Sequence, residues 1–400
     1  MRFPEFKGEW ENTSLGKIGK TFNGLTGKSG SDFGQGFPYI TYKSIFDDSK
    51  IDISRVEYVE ITDVERKKET QNKVQYGDVF FTTSSETPDE VGMSSVLLDE
   101  IKDCYLNSFC FGYRLNSLSK TTPEYMRFYL RSQTIRKKMF VLAQGSTRFN
   151  ISKSEVMGMP INIPEIEEQR KIANLLTLLD DRIATQNKII EDLKKLKSAI
   201  IDKLFSEAVN QEFKLRDVGK FIRGLTYSTD DVTDCKNGTI VIRANNLAYG
   251  EEVNENDDVV YVNKVVAGEQ ILQNGDMVIC MANGSSNLVG KNSVYNGTNE
   301  NITVGAFCAI YRSDYPLIPW LMQTKQWKCY VYKALQGGNG AIANLNSEDI
   351  QNIHFPMIPQ NQEIFARNCL LAIDNKIKVE QALLQRSNQQ KRYLLSHMFI

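Results

Sequence analysis

Several features that identify common protein classes are scarce or missing in this sequence. Only His354 and His397 occur among 400 residues, and none of the seven cysteines forms a CxxC pair. Histidine-based acid–base chemistry, a zinc site and a disulfide framework are therefore disfavoured. No apolar run approaches the roughly 18 residues that span a bilayer, and the opening MRFPEFKGEW has no hydrophobic centre of a signal peptide. We expect a cytoplasmic protein with no membrane association and no bound metal.

Net charge is also nearly absent. The 48 Lys and Arg residues against 49 Asp and Glu residues give a formal charge of −1. A neutral total lowers the expectation of a nucleic-acid partner, but it can hide a local basic face. With 41% hydrophobic and 24% charged residues, the composition is that of a globular chain long enough for two domains.

What the sequence does contain is a long internal repeat. The segment GKIGKTFNGLT at 16–26 returns as RDVGKFIRGLT at 216–226, so that Gly24-Leu25-Thr26 aligns with Gly224-Leu225-Thr226. Further matches follow in the same order: YGDVFF at 76–81 with NGDMVI at 274–279, FCFGYR at 109–114 with FCAIYR at 307–312, and LDDRI at 179–183 with IDNKI at 373–377. A period this long is that of a whole domain with its connector, not of a solenoid repeat.

Each copy of the repeat predicts the same order of elements. Short apolar strands separated by Gly, Asn, Asp and Ser come first, a helical pattern follows at 123–142 and again near 320–335, and a long amphipathic helix ends each copy. We therefore predict an α+β chain with two similar mixed α/β domains and two long helices. The predicted bounds are 1–160 and 207–352 for the domains, and 161–206 and 353–400 for the helices.

The two long helices follow a heptad pattern with apolar a and d positions. Lys197 and Lys391 fall at the same a position, and a polar residue falls at the same d position in both. A simple surface helix is the alternative, but matched polar positions favour a coiled coil of defined register. The apolar a and d residues are Leu176, Leu179, Ile183, Ile190, Leu193, Ile200 and Leu204 in the first helix, and Leu370, Ile373, Ile377, Leu384, Leu394 and Met398 in the second.

Chain connectivity predicts the direction of this pair. The first helix leads into the second domain and the second helix leaves it, so packing together makes them antiparallel, with pseudo-two-fold symmetry. A helix from about Glu165 to Ser206 is on the order of 60 Å long.

The aligned copies keep their glycines and apolar strand residues but differ at polar loop tips. These tips are rich in side chains that pair with base edges, although free surface loops favour the same residues for turn geometry. The candidate readers are Thr41, Lys43, Ser84, Ser85, Thr87, Gln144 and Arg148 in the first copy, and Arg243, Asn245, Asn246, Asn283, Ser285, Asn287 and Asn339 in the second. Arg127, Arg131 and Lys138 share one face of the predicted 123–142 helix and are candidate phosphate contacts.

Two other functions compete with DNA reading. Asp89, Glu100 and Lys102 fit the loose pattern of Mg²⁺-dependent nucleases, in which two carboxylates hold the metal and a lysine assists. The second copy preserves none of these residues. A structural adaptor that uses the coiled coil alone is the other alternative.

The chain as a whole resembles the specificity subunits of type I restriction-modification systems. The opening FPEFKGEW, the two GLT segments, NIPEIEEQRKIANLLTLLDDRI with its counterpart FPMIPQNQEIFARNCLLAIDNKI, and the helix ends DKLF and SHMF carry the resemblance. It implies a non-catalytic, DNA-binding subunit in which two target recognition domains each read half of a bipartite, asymmetric site.

The resemblance also implies partners and a division of labour. The coiled coil would set the spacer and dock two modification subunits, which bring S-adenosylmethionine and methylate adenine. Restriction subunits, the ATP-dependent translocase and nuclease, would join them. The second helix departs from the pattern because QNQE replaces the Glu-Gln pair that follows proline in the first.

Overall fold

The computed structural model describes residues 2–206, 211–335 and 343–399. The chain forms two compact units. Unit 1 comprises Met1–Asn187 with Ala382–Ile400, and unit 2 comprises Lys188–Gln381. Each unit therefore contains part of both long helices.

Unit 1 contains most of its strands before the first long helix. A four-stranded sheet has the order β2-β9-β5-β7 and a three-stranded sheet the order β4-β3-β8, while β1 pairs with β11 and β6 with β10. The elements are β1 (Glu11–Ser14), α1 (Leu15–Ile18), β2 (Gly19–Asn23), β3 (Phe33–Ile40), α2 (Tyr42–Asp47), β4 (Glu57–Val59), α3 (Asp63–Lys68), β5 (Val79–Thr82), β6 (Ser84–Ser85), β7 (Ser94–Val96), β8 (Tyr105–Leu106), β9 (Cys110–Leu115), α4 (Pro123–Tyr129), α5 (Gln133–Leu142), β10 (Phe149–Asn150), α6 (Lys153–Gly158), β11 (Pro160–Ile163) and α7 (Ile166–Ser206).

Unit 2 repeats this plan. Its larger sheet has the order β13-β21-β17-β19-β15, its three-stranded sheet the order β16-β14-β20, and β12 pairs with β23 and β18 with β22. The elements are β12 (Glu212–Lys214), α8 (Leu215–Val218), β13 (Gly219–Arg223), β14 (Thr239–Ile242), β15 (Glu251–Glu252), β16 (Val260–Val262), β17 (Met277–Cys280), β18 (Ala282–Asn283), β19 (Asn292–Val294), β20 (Ile302–Val304), β21 (Cys308–Ser313), α9 (Ile318–Leu321), α10 (Lys325–Leu335), β22 (Ala343–Asn344), α11 (Ser347–Gln351), β23 (His354–Pro356) and α12 (Gln360–His397). Strand β15 corresponds in unit 1 to the single parallel bridge between Lys50 and Val96.

The long first helix was expected from Glu165 and begins at Ile166, but the shorter helices differ from the prediction. The expected helix over 123–142 is two helices, because the Ser132 side chain caps a new helix by accepting from the Ile135 amide at 3.4 Å. The expected helix over 320–335 is likewise divided into α9 and α10, where Thr324 Oγ1 accepts from the Trp327 amide at 3.1 Å.

The cores explain the apolar half of the repeat. In unit 1, buried residues of β5 and β9, such as Phe81 and Phe111, share a hydrophobic cluster with Leu176 of α7 and Leu394 of α12. In unit 2, Ile279 of β17 shares a cluster with Ile201 of α7 and Leu370 of α12. Both long helices are therefore part of both cores. Each large apolar side chain that they bury stabilises the fold by about 1.5–3 kcal/mol.

Repeated polar residues make the same buried contacts in both units. Arg114 forms a two-pronged ion pair with Asp78, both distances being 2.7 Å, and Arg312 does the same with Asp276 at 2.8 and 2.7 Å. Tyr113 Oη donates to the Leu15 carbonyl at 2.8 Å, and Tyr311 Oη donates to the Leu215 carbonyl at 2.8 Å. The repeated sequence pattern therefore fixes one tertiary scaffold twice.

The repeated GLT glycines are required by a close approach of two backbone segments. A Cβ at Gly24 would lie 1.9 Å from the Asn107 carbonyl oxygen, and one at Gly224 would lie 2.1 Å from that of Gly305. We expect Gly224→Ala to lower the free energy of unfolding by about 2 kcal/mol or more, because backbone must move to admit the methyl group. Chemical denaturation measures this. Gly268→Ala, where a Cβ has no neighbour within 4 Å, is the control and should leave stability nearly unchanged.

Candidate functional site

The predicted readers of unit 1 gather around the pairing of β6 and β10. Tyr42 Oη, in α2, donates to the Ser84 carbonyl at 2.6 Å and ties that helix to β6. Ser84 and Ser85 pair with Asn150 and Phe149, and Asn150 in turn bridges to Gln144. The tip is therefore built from three segments that are distant in the sequence.

The exposed part of this tip is smaller than the set of predicted readers. Thr41 accepts from the Ser44 amide at 3.2 Å and caps α2, and Ser84 and Ser85 are 4% and 8% exposed. These three side chains mainly hold the tip together. The side chains presented to solvent are Lys43, Thr87, Gln144 and Arg148.

Strand register identifies the equivalent tip in unit 2. Tyr39 of β3 pairs with Glu57 and Tyr105, and Val241 of β14 pairs with Val260 and Thr303. Thr41 is therefore equivalent to Arg243, two residues further along the strand. Ala244 takes the place of Tyr42 and has no hydroxyl group with which to make the bond to β18.

The predicted readers of unit 2 also divide into structural and exposed residues. Asn246 is 3% exposed, and its Oδ1 accepts from the Arg243 amide at 2.9 Å, which fixes the 3₁₀ turn Ala244–Asn246. Asn283 Oδ1 accepts from the Ser285 amide at 3.0 Å. Asn245, Ser285 and Asn287 are exposed and Arg243 is partly exposed, whereas Asn339 lies outside the described residues.

The three basic residues predicted as phosphate contacts, Arg127, Arg131 and Lys138, have partners inside the protein. Arg127 Nη2 donates to Asp180 Oδ2 at 2.6 Å, and Lys138 Nζ donates to the Pro160 carbonyl at 2.6 Å. Arg131 donates to the carbonyls of Ser94, Ile45, Phe46 and Asp48 at 2.6 to 3.0 Å. Burial lowers the pKa of Arg131 to about 10. Contact of these three residues with DNA stays a prediction. Their hydrogen bonds within the protein do not favour it, because the same donors are already in use.

The coiled-coil prediction fits the burial of the long helices. Every predicted apolar a and d residue is buried or half-buried. In unit 1 Asp180 pairs with Lys391, and in unit 2 Lys197 pairs with Asp374. Moving 17 residues forward along α7 (197 − 180) moves the partner 17 residues back along α12 (391 − 374), so the two helices run antiparallel.

The two a-position lysines are held by a repeated aspartate that the sequence analysis did not single out. Lys197 Nζ lies 2.6 Å from Asp374 Oδ1, and Lys391 Nζ lies 2.5 Å from Asp180 Oδ1. Each aspartate also binds its own globular part: Asp374 Oδ2 accepts from Trp320 Nε1 at 2.8 Å, and Asp180 accepts from Arg127. The signal was present, because Asp recurs in LDDRI and IDNKI between apolar residues.

The Glu-Gln pair that opens α7 makes contacts within this chain. Glu168 and Gln169 are both fully buried. Glu168 receives two bonds of 2.7 Å from Arg2, and Gln169 bonds to the Thr122 amide at 3.0 Å and the Lys120 carbonyl at 2.9 Å. The replacement of this pair at the start of α12 therefore removes internal contacts of this kind.

A cleft within unit 2 lies away from the tip residues. It has a volume of about 960 Å³ and lies between the end of β15 and the long helices. Two ion pairs cross it, Lys194 with Glu251 at 3.4 Å and Lys378 with Glu252 at 2.5 Å. Several of its charged side chains are paired within the chain, and we assign no ligand to it.

The nuclease alternative gains no support from the structure. Within residues 2–206, 211–335 and 343–399, no group of three or more His, Cys, Asp or Glu side chains is placed to hold a metal ion. Asp89 lies in the turn after β6, and Glu100 and Lys102 lie between β7 and β8.

Across the same described ranges, no helix is long and apolar enough to cross a bilayer.

Comparison with known proteins agrees with this architecture. Residues 7–195 match the family model of the type I restriction modification DNA specificity domain. The crystal structure of the type I restriction-modification system S subunit from M. genitalium covers 100% of this chain, and the chain covers 99% of it, with a TM-score of 0.62 at 14% identity. Residues 7–195 thus belong to the type I restriction modification DNA specificity domain family, and the whole chain has the fold of an S subunit.

Two other proteins are also similar to this chain. The protein named "Putative type I restriction enzyme MjaX specificity subunit" of Methanocaldococcus jannaschii is 31% identical over 225 residues, which is 54% of this chain and 50% of that protein. The chain thus spans about half the length of that curated relative. A chain from a structure on complex assembly of the type I R-M system aligns with a TM-score of 0.55 at 16% identity, over 98% of this chain and 97% of the other.

Proposed function

We propose that this chain is the DNA specificity subunit of a type I restriction-modification complex and has no catalytic role of its own. In this proposal the heads at 1–160 and 207–352 each read one half of a bipartite, asymmetric DNA site. The observation that carries the proposal is the duplication of one scaffold, strand by strand, with different polar residues at equivalent tips. A shared scaffold with different tips suits two readers of different base sequences.

The long helices suit a second role in this proposal. The spacer helices α7 and α12, which begin at Ile166 and Gln360 because 160–163 and 354–356 are strands, would set the gap between the two half-sites. Packed helices with paired buried charges hold one register. Their exposed faces would dock two modification subunits, which would supply S-adenosylmethionine for methyl transfer to adenine. Restriction subunits would join this assembly to translocate and cleave DNA.

DNA binding by the assembled complex tests the proposal against a structural adaptor. We expect the complex of this chain with its modification subunits to bind duplex DNA, with an affinity that falls steeply as salt concentration rises, since phosphate contacts release counterions. Fluorescence anisotropy over a salt series measures this. The modification subunits alone are the control.

Two results, one from that experiment and one from a cleavage assay, would count against the proposal. An affinity that does not depend on the presence of this chain would favour the adaptor. Cleavage of DNA by this chain alone in the presence of Mg²⁺, abolished by Asp89→Ala, would favour the nuclease.

A further inference from the structure

One acidic residue near the tip of unit 2 holds two of the exposed predicted readers at once. Arg243 Nη2 donates to Asp258 Oδ1 and to the Asp258 carbonyl oxygen, both at 3.0 Å. Asn245 Nδ2 donates to the other carboxylate oxygen, Oδ2. Neither the repeat nor the resemblance pointed to Asp258, which precedes β16.

The segment that carries Asp258 is itself fastened to the reader turn. Asn246 Nδ2 donates to the Asp257 carbonyl at 2.7 Å, and the Asn254 amide donates to the Asn246 carbonyl at 3.0 Å. Asp258 adopts a left-handed conformation with φ of 52°, which few residues other than Gly, Asn and Asp adopt at low cost. The carboxylate is thus presented from a fixed backbone.

The guanidinium group of Arg243 depends on this carboxylate for its orientation. Its Nε is buried and has no hydrogen-bond partner within the described part of the chain, whereas Nη2 makes both bonds to Asp258. Two bonds from Nη2 to one residue restrict the plane of the guanidinium, so its other donors have a preferred direction. Side-chain donors with a fixed direction can distinguish one base edge from another in the major groove.

The equivalent position in the other head has the opposite charge. Glu57 of β4 is equivalent to Val260 of β16 by strand register, so Arg55 is equivalent to Asp258. The Arg55 side chain is 79% exposed and contacts Asp52 at 3.3 Å. By the same register, Lys43 occupies the position of Asn245. The two heads therefore differ at this point in both backbone and chemistry, because Arg55 ends a 3₁₀ helix over Ile53–Arg55, whereas Asp258 lies in a bend with a positive φ.

We propose that Asp258 is a positioning residue for base recognition by the second head. It orients Arg243 and Asn245 toward their base pairs, and its charge opposes non-specific attraction of Arg243 to phosphate. This proposal rests on the proposed function, because it requires that the head reads DNA. Specificity at the half-site read by residues 207–352 would then depend on Asp258, although Asp258 need not touch a base.

The proposal predicts opposite changes in specific and non-specific binding. Without the carboxylate, Arg243 and Asn245 lose their fixed direction, so discrimination between the correct and an altered half-site should fall about tenfold. Loss of one negative charge beside an arginine should at the same time raise affinity for random DNA. Simple damage to the fold would lower both affinities.

Asp258→Gly and Asp258→Asn in the complete complex test this. Both residues tolerate the positive φ, but glycine removes both side-chain bonds, whereas asparagine keeps one oxygen acceptor. Binding constants for matched and altered duplexes give the discrimination ratio. We expect it to fall in the order wild type, Asn, Gly, with the change confined to one half-site and with an unchanged melting temperature.

Asp257→Asn is the matched control, because it removes the same charge from the neighbouring residue, whose side chain bonds to Asn254 and not to the two readers. It should raise non-specific affinity without changing the discrimination ratio. If both Asp258 variants behave as Asp257→Asn does, Asp258 has no positioning role, and the proposed function is unaffected. If the wild-type complex shows no sequence preference, the proposed function fails, and this inference fails with it.

Discussion

Replacing Asp374 by alanine will lower the free energy of unfolding by about 3–5 kcal/mol, because it leaves a buried lysine without its counter-ion. Lys197 is 8% exposed, and its Nζ lies 2.6 Å from Asp374 Oδ1. The same change removes the acceptor of Trp320 Nε1. Unfolding in guanidinium chloride, followed by circular dichroism, measures the loss.

A second substitution separates the charge effect from general disruption of the helix. Adding Lys197→Met to Asp374→Ala should restore much of the lost stability, since an apolar side chain at an a position needs no counter-ion. The exposed pair Lys195 and Glu191 on the same helix is the control, and breaking it should leave unfolding unchanged. Equal stabilities of the single and double variants would mean that the buried charge pair is not what holds this register.

Replacing Arg243 by alanine will relax recognition of one half-site only. A good side-chain pair with a base contributes about 1–3 kcal/mol of discrimination, so the preference at the affected base pair should fall by a factor of roughly 5 to 150. Arg243 is partly exposed at the tip of unit 2, and its two bonds to Asp258 hold its direction. Selection of bound sequences from a random DNA pool by the complete complex measures this.

The other head provides the matched variant. Lys43 is exposed and is equivalent to Asn245, so its replacement by alanine should affect only the other half-site. A change in both half-sites from either substitution would show that the heads do not read independently. No change from either would remove these residues from the set of readers.

The scaffold was predictable because both copies of the repeat report on it. Apolar strand residues, the GLT glycines and the YR pairs recur at nearly constant spacing, and all of them proved to have structural reasons. Acidic residues after Pro164 predict a helix start near Glu165, and the helix begins at Ile166 with Glu167 and Glu168 in its first turn. The heptad residues followed from periodicity alone, and their burial agrees with the prediction.

The tips were predictable only in part, because polar residues serve structure and recognition with the same side chains. Thr41 and Asn246 have the side chains of readers, but they cap or brace turns. The sequence places Arg131 on a charged helix face, but the carbonyls it binds belong to residues 45–48 and 94, far away in the sequence. The sequence does not indicate Asp258 for the same reason, since its partners lie 13 and 15 residues before it.

Sequencing of methylated adenines in the source cell, with and without this gene, is the most direct test of whether this chain sets the sequence specificity of methylation. We expect a methylated motif of two different short half-sites separated by a fixed gap, present with the gene and absent without it. Restoring the gene with Arg243→Ala should broaden one half of that motif and leave the other half unchanged. A motif that persists without the gene, or a single continuous or palindromic motif, would contradict it.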